Sequence, residues 1–333
     1  MRHTTKIEIE NYVDKINKYF TSFLSGEPSE LYKASSHYLR SGGKRLRPIM
    51  VIKSCEMFGG SQEDALPAAS AIEFIHNFSL VHDDIMDNDD LRHGIPTVHK
   101  NFGLPLAILS GDILFSKAFQ ILSSNNNNSI PEDSLLSMIR KLSAACIDIC
   151  EGQCIDLQFS KEYNFPSEGK YIKMIEKKTA ALFEVSCSLG TLSSPNAREN
   201  DINNMANFGK NSGIAFQLID DLIGISGDIK KTGKAVGNDI REGKKTYPIL
   251  LSINRASESE RSQILKVFGQ SECESTSLKK AIDIISSLEV ENIVRKNAMD
   301  YINKAMDSIN HYQDSDPKNI LKEISYFIVE RSK

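Results

Sequence analysis

Acidic side chains at helical spacing are the residues of this sequence best suited to chemistry. Residues 83–87 read DDIMD, so Asp83 and Asp87 share one face of any helix that carries them, with Asp84 beside them. Carboxylates placed so closely repel one another unless a cation neutralises them. Mg²⁺ typically takes one or two protein carboxylates and completes its coordination with water and substrate phosphates. The motif therefore predicts a site for Mg²⁺ and a diphosphate.

A second acidic pair, Asp220 and Asp221, interrupts another apolar stretch. One such motif alone is interpreted more simply as a solvated acidic turn, because charge runs are usually exposed. Two copies argue against that interpretation, since each lies in a segment that would otherwise face a core.

Basic residues accompany the acids. In SGGKRLRP, residues 41–48, two glycines let the backbone approach a ligand closely, and Lys44, Arg45 and Arg47 follow them. Arginine forks and N–H groups at a helix start bind anions, so a phosphate or diphosphate is the expected ligand. Singly, each further cation would be interpreted as a surface residue: Arg92, His93, Lys178, Lys234 and Lys244. Cations that accompany two acidic helices are better explained by anionic substrates bridged through metal.

The elements that must position these side chains are helices. Residues 68–88 and 204–224 repeat apolar and acidic residues at helical period, and short alternating strand patterns are missing. No linker rich in Pro, Gly or Ser divides the chain, which predicts one all-α domain over residues 1–333. Turn-forming residues place breaks between helices at 123–133, 164–169, 193–196 and 225–239.

Composition excludes several classes of protein. The 333 residues include 40 Lys and Arg against 44 Asp and Glu, a net charge of −4. This gives no basic field for nucleic acid. No apolar stretch approaches the ~20 residues of a membrane span, so no integral membrane segment is expected. The first residues lack a signal-peptide pattern, which predicts a cytoplasmic protein.

Six cysteines in such a chain are expected to be reduced thiols. Cys146, Cys150 and Cys154 recur every fourth residue, which leaves a metal site open. Zinc sites usually show a Cys-x2-Cys step instead, so this spacing favours a helix face lined with small apolar side chains.

The motifs together resemble one family, the trans-isoprenyl diphosphate synthases. They occur in that family's order from about Lys33 to Leu251, and the tail YFIVERSK is similar as well: GGKRLRP, FIHNFSLVHDDIMDNDDLRHGIPTVH, GDILFSKAF, EGQCIDL, KTAALFE, FQLIDDLIGISGD and GKAVGNDIREGKKTYP. The resemblance implies an all-α isoprenoid synthase fold with many helices around a deep central cavity. It also implies a homodimer, and acidic motifs that face each other across the cavity mouth.

Roles follow from the resemblance residue by residue. It implies that Asp83 and Asp87 bind two Mg²⁺ ions and Asp220 a third, and that Mn²⁺ can substitute for Mg²⁺. Asp84 and Asp221 complete the metal site. Asp156 joins those two in the supporting water network. The allylic diphosphate is assigned to four cations: Arg92, Lys178, Lys234 and Lys244. Isopentenyl diphosphate is assigned to four others: Lys44, Arg47, His76 and His93. Thr179 and Gln217 line the reacting centre.

The implied reaction is ionisation, condensation and deprotonation. Metal ions and cations stabilise the charge on the departing diphosphate. A dry wall protects the allylic cation from water. The double bond of isopentenyl diphosphate attacks that cation, and the released diphosphate takes the final proton.

Two positions depart from the family pattern. The second motif reads DDLIG, so Gly224 stands where the family has a third acid, and Asp228 could partly replace it. His93 stands where the family has a second Arg, which predicts weaker or pH-dependent affinity for isopentenyl diphosphate.

Product length is expected to depend on Phe78 and Ser79, the fifth and fourth residues before Asp83. In the family, a bulky residue followed by a small one goes with the twenty-carbon product, geranylgeranyl diphosphate. The absence of a two-residue insertion within DDIMD resembles the archaeal type of the enzyme. Around the helix axis Ser79 lies about 40° from Asp83 and Phe78 about 140°. Phe78 could therefore instead be a core residue at a dimer interface.

Other functions are compatible with these motifs. The chain could be a farnesyl or longer-chain synthase, a class I terpene cyclase, a head-to-head condensing enzyme or a non-catalytic partner subunit. The cyclase would not need the second-substrate site at GGKRLRP and His76, and a silent subunit would be expected to lose metal ligands. The loop with Lys234 and the tail with Arg331 are candidates to close over the site.

Overall fold

The computed structural model describes residues 3–124, 130–226, 237–270 and 272–331, and helices and their connecting turns make up nearly all of them. The all-α prediction is confirmed. One small hairpin interrupts the helices: strand β1 (Leu91–Arg92) pairs antiparallel with β2 (Ile95–Pro96). Lys234 and Asp228, both named from the sequence, lie outside the described residues.

The predicted helical segments 68–88 and 204–224 fall in α5 and α11, and the predicted breaks at 164–169 and 193–196 separate helices. The helices have the following bounds: α1 (His3–Thr21), α2 (Ser29–Ser35), α3 (His37–Arg40), α4 (Leu46–Met57), α5 (Gln62–Met86), α6 (Val98–Phe102), α7 (Leu104–Ser123), α8 (Glu132–Lys161), α9 (Glu168–Ile175), a π-helical turn (Glu176–Ala180), α10 (Ala181–Leu192), α11 (Glu199–Ser226), α12 (Asn238–Arg241), α13 (Tyr247–Arg255), α14 (Glu258–Val267), α15 (Ser275–Ser287), α16 (Val290–Ile309) and α17 (Asp316–Glu330).

The chain forms two compact units. The first takes in residues 1–149, 181–210 and 305–324. Within it α5 packs against α4, α7 and α10. A capping box starts α5, because the Ser61 side chain accepts the Asp64 N–H and the Asp64 carboxylate accepts the Ser61 N–H. The first acidic motif therefore lies at the end of a helix that is anchored at its start and packed along its length.

The second unit takes in residues 150–180, 211–304 and 325–333. Its core includes Leu218, Ile219 and Leu222 of α11, each at most 3% exposed. Burying such side chains stabilises a fold by about 1.5–3 kcal/mol each. Since Asp220 and Asp221 are interleaved with these apolar residues, packing of α11 fixes where the second acidic motif lies.

Helix α7 departs from the expectation that no apolar stretch approaches the length of a membrane span. By length and composition alone it could cross a membrane, and among the described residues it is the one helix that meets this test. About 39% of its apolar window is buried in the structure. Its outward side carries large apolar residues, among them Leu104, Ile108 and Leu109.

The three regularly spaced cysteines lie on α8, as predicted. Cys146 is buried, whereas Cys150 and Cys154 are exposed. A face lined with small apolar side chains would be buried, so that interpretation fits Cys146 and is wrong for Cys150 and Cys154, where α8 is open to solvent. All six cysteines lie among the described residues and are thiols.

Candidate active site

The first acidic motif occupies the last turn of α5. Asp83 and Asp84 are helical, and Asp87 caps the helix, donating its N–H to the Asp83 carbonyl at 2.8 Å. Asp84 is 1% exposed, whereas the Asp83 side chain is 24% exposed and Asp87 is exposed. The motif thus exposes Asp87 and part of Asp83 to solvent and buries Asp84 between them.

Asp84 is held by two partners that come from other elements. Tyr38 of α3 donates its hydroxyl hydrogen to Asp84 Oδ2. Arg92 of β1 donates from Nε to Oδ1 at 2.8 Å and from Nη2 at 2.6 Å. Burial, and then the bond to Asp84, raise the pKa of Tyr38, so its hydroxyl stays a donor. Asp84 therefore orients Arg92, whose Nη2 also lies 3.9 Å from Asp83 Oδ2.

Arg47 and His76, which the sequence assigned to one substrate, do lie together. An Arg47 Nη1 hydrogen points to His76 Nε2 at 3.3 Å, and the Arg47 guanidinium lies 4.3 Å from the centre of the Phe183 ring. Burial, followed by the charge of Arg47, holds the pKa of His76 well below its usual value. A neutral imidazole is what this contact requires, since arginine only donates. Lys44 and His93 are exposed, and His93 has a left-handed backbone with φ 51°.

Arg45, grouped with the anion-binding residues by its sequence position, has a structural role that the sequence did not reveal. Its guanidinium is buried and donates to Glu73 Oε1 at 2.7 Å, to Asn17 Oδ1 at 3.0 Å and to the Leu39 carbonyl at 2.6 Å. Burial raises the pKa of Glu73, against the opposing charge of Arg45. The buried ion pair anchors the turn that presents Lys44 and Arg47.

The second acidic motif repeats the pattern of the first. The Asp220 side chain is 53% exposed, while Asp221 is buried. Arg331, at the end of α17, donates to Asp220 Oδ1 at 3.1 Å and to the Phe216 carbonyl at 3.0 Å. The tail that the sequence marked as a closing element therefore contacts the outward aspartate of this motif.

Asp221 accepts a hydrogen bond from the Tyr171 hydroxyl, just as Asp84 does from Tyr38. Gln217 Nε2 donates to Asp221 Oδ1 at 2.8 Å, and Thr179 donates to Gln217 Oε1 at 2.8 Å. Burial raises the pKa of Asp221 to about 7, with the bonds from Tyr171 and Gln217 opposing it. Thr179 and Gln217 thus lie together, in a hydrogen-bonded chain that ends on the buried Asp221 carboxyl.

Lys178 and Thr179 lie in the π-helical turn, a rare backbone form that often marks functional positions. Lys178 Nζ donates to Asp156 Oδ2 of α8 at 2.7 Å. Close approach of α8 depends on Gly152, since a Cβ there would lie 2.2 Å from the Lys178 backbone nitrogen. The EGQC segment therefore serves backbone packing that places Lys178.

The two lysines that follow α12 have different surroundings. Lys244 Nζ forms an ion pair with Glu242 Oε2 at 3.0 Å and is partly exposed. Lys245 Nζ donates to three carbonyls at the end of α8, those of Phe159, Glu162 and Asn164. Lys245 thus caps a helix C-terminus, where a positive charge is stabilising.

Gly224, the departure in the second motif, faces a carboxylate from another helix. A Cβ at this position would lie 2.3 Å from Asp239 Oδ2 and 3.0 Å from Asp239 Cγ. Asp239 is 7% exposed and contributes to the raised pKa of Asp221. The space that a third acid would need is therefore already taken by Asp239.

Phe78 and Ser79, which the sequence links to product length, lie one turn before the first motif. The Phe78 ring packs edge-on against His82 and Phe115, and Phe78 and Ser79 are both partly buried. The Ser79 hydroxyl donates to the His76 carbonyl at 2.8 Å.

The donor chemistry fits Mg²⁺. Among the described residues no three His, Cys, Asp or Glu side chains form a closed metal cage. The water-facing carboxylates of Asp83, Asp87 and Asp220 are hard oxygen donors of the kind that Mg²⁺ shares with phosphate oxygens. Asp84 and Asp221, which the sequence also assigned to the metal site, instead bind neighbouring side chains.

Comparison with known proteins places these features in context. The Polyprenyl synthetase family profile matches residues 28–285. Geranylgeranyl diphosphate synthase of Sulfolobus acidocaldarius is 40% identical over 326 residues, covering 96% of this chain and 97% of the relative. Geranylfarnesyl diphosphate synthase of Aeropyrum pernix is 35% identical, covering 96% of this chain and 99% of the relative.

Solved structures are also similar over nearly the whole chain. Geranylgeranyl pyrophosphate synthetase from Pyrococcus horikoshii has a TM-score of 0.90 at 37% identity, covering 99% of this chain and 100% of that chain. A polyprenyl synthase from Caulobacter crescentus, complexed with calcium and isoprenyl diphosphate, has a TM-score of 0.89 at 29% identity, covering 99% of this chain and 97% of that chain.

Proposed function

The chain belongs to the polyprenyl synthetase family, and from this premise we propose that it condenses isopentenyl diphosphate head-to-tail with an allylic diphosphate. As a member of this family it is an enzyme that transfers prenyl groups. The proposed reaction depends on Mg²⁺, and its main product is geranylgeranyl diphosphate. One observation carries the proposal: each acidic motif turns carboxylate outwards and buries its second aspartate against a tyrosine.

Asp83 and Asp87 would hold two Mg²⁺ ions and Asp220 a third. When bound, these ions neutralise charge that develops on the departing diphosphate. Arg92 and Lys178 bind the allylic diphosphate in this proposal, and Lys234 and Lys244 assist. Arg92 is oriented for this by Asp84, and Lys178 by Asp156. Cations fixed before reaction stabilise the leaving group without reorganising as the C–O bond breaks.

Lys44, Arg47, His76 and His93 would bind isopentenyl diphosphate. The buried Arg45–Glu73 pair keeps in place the turn that carries Lys44 and Arg47. The double bond attacks the allylic cation, a new C–C bond forms, and a proton leaves to the released diphosphate. Thr179 and Gln217 line the reacting centre in this proposal, and their mutual hydrogen bond occupies polar atoms that could otherwise hold water near the cation.

The twenty-carbon product is proposed from Phe78 and Ser79. The relative from S. acidocaldarius, named for this product, supports it. The Aeropyrum relative is named for geranylfarnesyl diphosphate, a longer product. A farnesyl or longer-chain synthase is therefore the alternative, and a class I terpene cyclase or a silent partner subunit is a more distant one.

We propose that the enzyme is a homodimer joined through α7 and α8. Leu104, Ile108 and Leu109 of α7 are 50%, 42% and 52% exposed, and Ile147 of α8 is 58% exposed. Leu104 and Ile108 are four residues apart on α7 and therefore share a face, and adjoining exposed apolar side chains mark an interaction surface. A partner subunit would account for the apolar composition of α7 without a membrane. Sedimentation equilibrium tests this, because Leu109→Lys would then give monomers.

Two further proposals concern the cellular compartment of the enzyme and its domain organisation. We propose a cytoplasmic enzyme, consistent with six thiols and no disulfide among them. We also propose that residues 1–333 form one synthase domain, which the family match across residues 28–285 supports.

Incorporation of labelled isopentenyl diphosphate into acid-labile allylic product tests the proposed reaction. Protein stripped with EDTA should incorporate no label from isopentenyl and geranyl diphosphates, and added Mg²⁺ or Mn²⁺ should restore incorporation. Asp83→Asn should raise the Mg²⁺ concentration needed. A cyclase would release diphosphate from the allylic substrate without consuming label, and a silent subunit would do neither. Either result would refute the proposal.

A further inference from the structure

The GDILFSKAF segment of α7 has no role in the chemistry described above, and its glycine faces a histidine of α5. A Cβ at Gly111 would lie 2.3 Å from His82 Nε2 and 2.5 Å from His82 Cδ2. Real Cβ atoms do not come this close to other heavy atoms, so the absence of a side chain at 111 is what admits the imidazole between the two helices.

Polar contacts with α7 hold the His82 ring in this position. His82 Nε2 donates to the Ile108 carbonyl at 3.3 Å and lies 3.8 Å from Asp112 Oδ1. Since a carbonyl oxygen only accepts, Nε2 carries the proton. The side chain is 27% exposed. The His82 ring therefore packs between α5 and α7, and both the space at Gly111 and the hydrogen bond to Ile108 fix its position.

Phe78 lies one turn before His82 on the same helix face. The two ring centroids are 4.7 Å apart with an interplanar angle of 63°, and the Phe115 ring of α7 lies 5.2 Å away at 61°. Edge-to-face pairs at these distances are attractive. The Phe78 ring is thus supported on two sides, and His82 provides one of the two supports.

We propose that His82, seated against Gly111, is a positioning residue for product length. It holds the Phe78 ring across the path of the growing prenyl chain, while it touches neither substrate nor metal. This inference rests on the proposed function, in which Phe78 ends elongation. Gly111 and Asp112, the first two residues of GDILFSKAF, then contribute to chain-length control because they seat His82 against α7.

Product-length analysis of three variants tests the inference: Phe78→Ala, His82→Ala and the double variant. With isopentenyl and geranyl diphosphates as substrates, the dephosphorylated alcohols are separated by length. His82→Ala should raise the share of products longer than twenty carbons about 2- to 10-fold, the range that loss of one edge-to-face contact allows. The double variant should match Phe78→Ala, because His82 acts only through that ring.

Controls keep the outcomes distinct. His99→Ala removes an imidazole from α6 and should leave the length distribution unchanged. Gly111→Ala moves His82 without removing it and carries the test if His82→Ala does not fold.

An unchanged distribution in His82→Ala, with longer products in Phe78→Ala, would overturn this inference alone. If Phe78→Ala also leaves the distribution unchanged, the chain-length assignment fails and this inference with it. Loss of all product in the wild type would instead refute the proposed function.

Discussion

Completing the second acidic motif by Gly224→Asp should weaken the enzyme, although motif comparison alone would favour this change. The new Cβ would lie 2.3 Å from Asp239 Oδ2 and 3.0 Å from Asp239 Cγ. Asp239 is 7% exposed, so its carboxylate has little room to rotate away. Either Asp239 leaves its place or α11 shifts, and α11 also carries Asp220 and Asp221.

Two effects set the magnitude. Overpacking a filled site costs about 1–3 kcal/mol. Two carboxylates about 4 Å apart repel by up to about 4 kcal/mol at an effective dielectric of 20, less if one of them takes up a proton. We therefore expect Gly224→Asp to lose about 2–5 kcal/mol of unfolding free energy.

Urea unfolding and Mg²⁺ titration of activity measure the outcome. Gly224→Ala is the matched control, because it adds the steric clash without the charge and gains about 1 kcal/mol of helix propensity. Gly224→Asp combined with Asp239→Ala moves the carboxylate from one residue to the other and should recover most of the loss. A single Gly224→Asp variant that is more stable than wild type, or needs less Mg²⁺, would refute the reasoning.

Three further predictions follow from the contacts. Arg45→Ala should lower the unfolding free energy by about 3–5 kcal/mol, because it leaves the buried Glu73 carboxylate unpaired; an effect below 1 kcal/mol in urea unfolding would contradict this. His93→Arg should lower the Michaelis constant for isopentenyl diphosphate and remove its dependence on pH between 6 and 8, since arginine stays charged; an unchanged constant would show that His93 does not bind this substrate. Burial raises the pKa of Asp221 to about 7, so the folded protein keeps a proton that an unfolded aspartate releases near pH 3.9. The free energy of unfolding should therefore fall as pH rises from about 4 to 7 and level off above pH 7. Asp221→Asn should remove that slope in unfolding measured against pH, and an unaltered slope would contradict the assignment.

Helical spacing and short sequence motifs were sufficient to predict some parts of the candidate site. Helical spacing placed Asp83 and Asp87 together on α5, and it placed the second motif on a buried helix. The sequence also indicated Arg47 with His76, which the structure finds 3.3 Å apart. The placement of the acidic motifs on helices depended on periodicity, whereas the pairing of Arg47 with His76 came from the family resemblance.

Contacts between distant segments could not be predicted in this way. Tyr38 and Asp84 are 46 residues apart, and Tyr171 and Asp221 are 50 apart. Nothing in the spacing of these residues marks the tyrosines, since an isolated tyrosine is as often a core residue. Arg45 likewise stands within a basic motif, and only tertiary packing decides that its guanidinium turns inwards to Glu73.

The chain length of the prenyl product tests the central claim most directly. Purified protein incubated with Mg²⁺, isopentenyl diphosphate and geranyl diphosphate should yield a linear twenty-carbon diphosphate, identified by mass spectrometry. A cyclic hydrocarbon, a head-to-head product or unreacted primer would contradict the account.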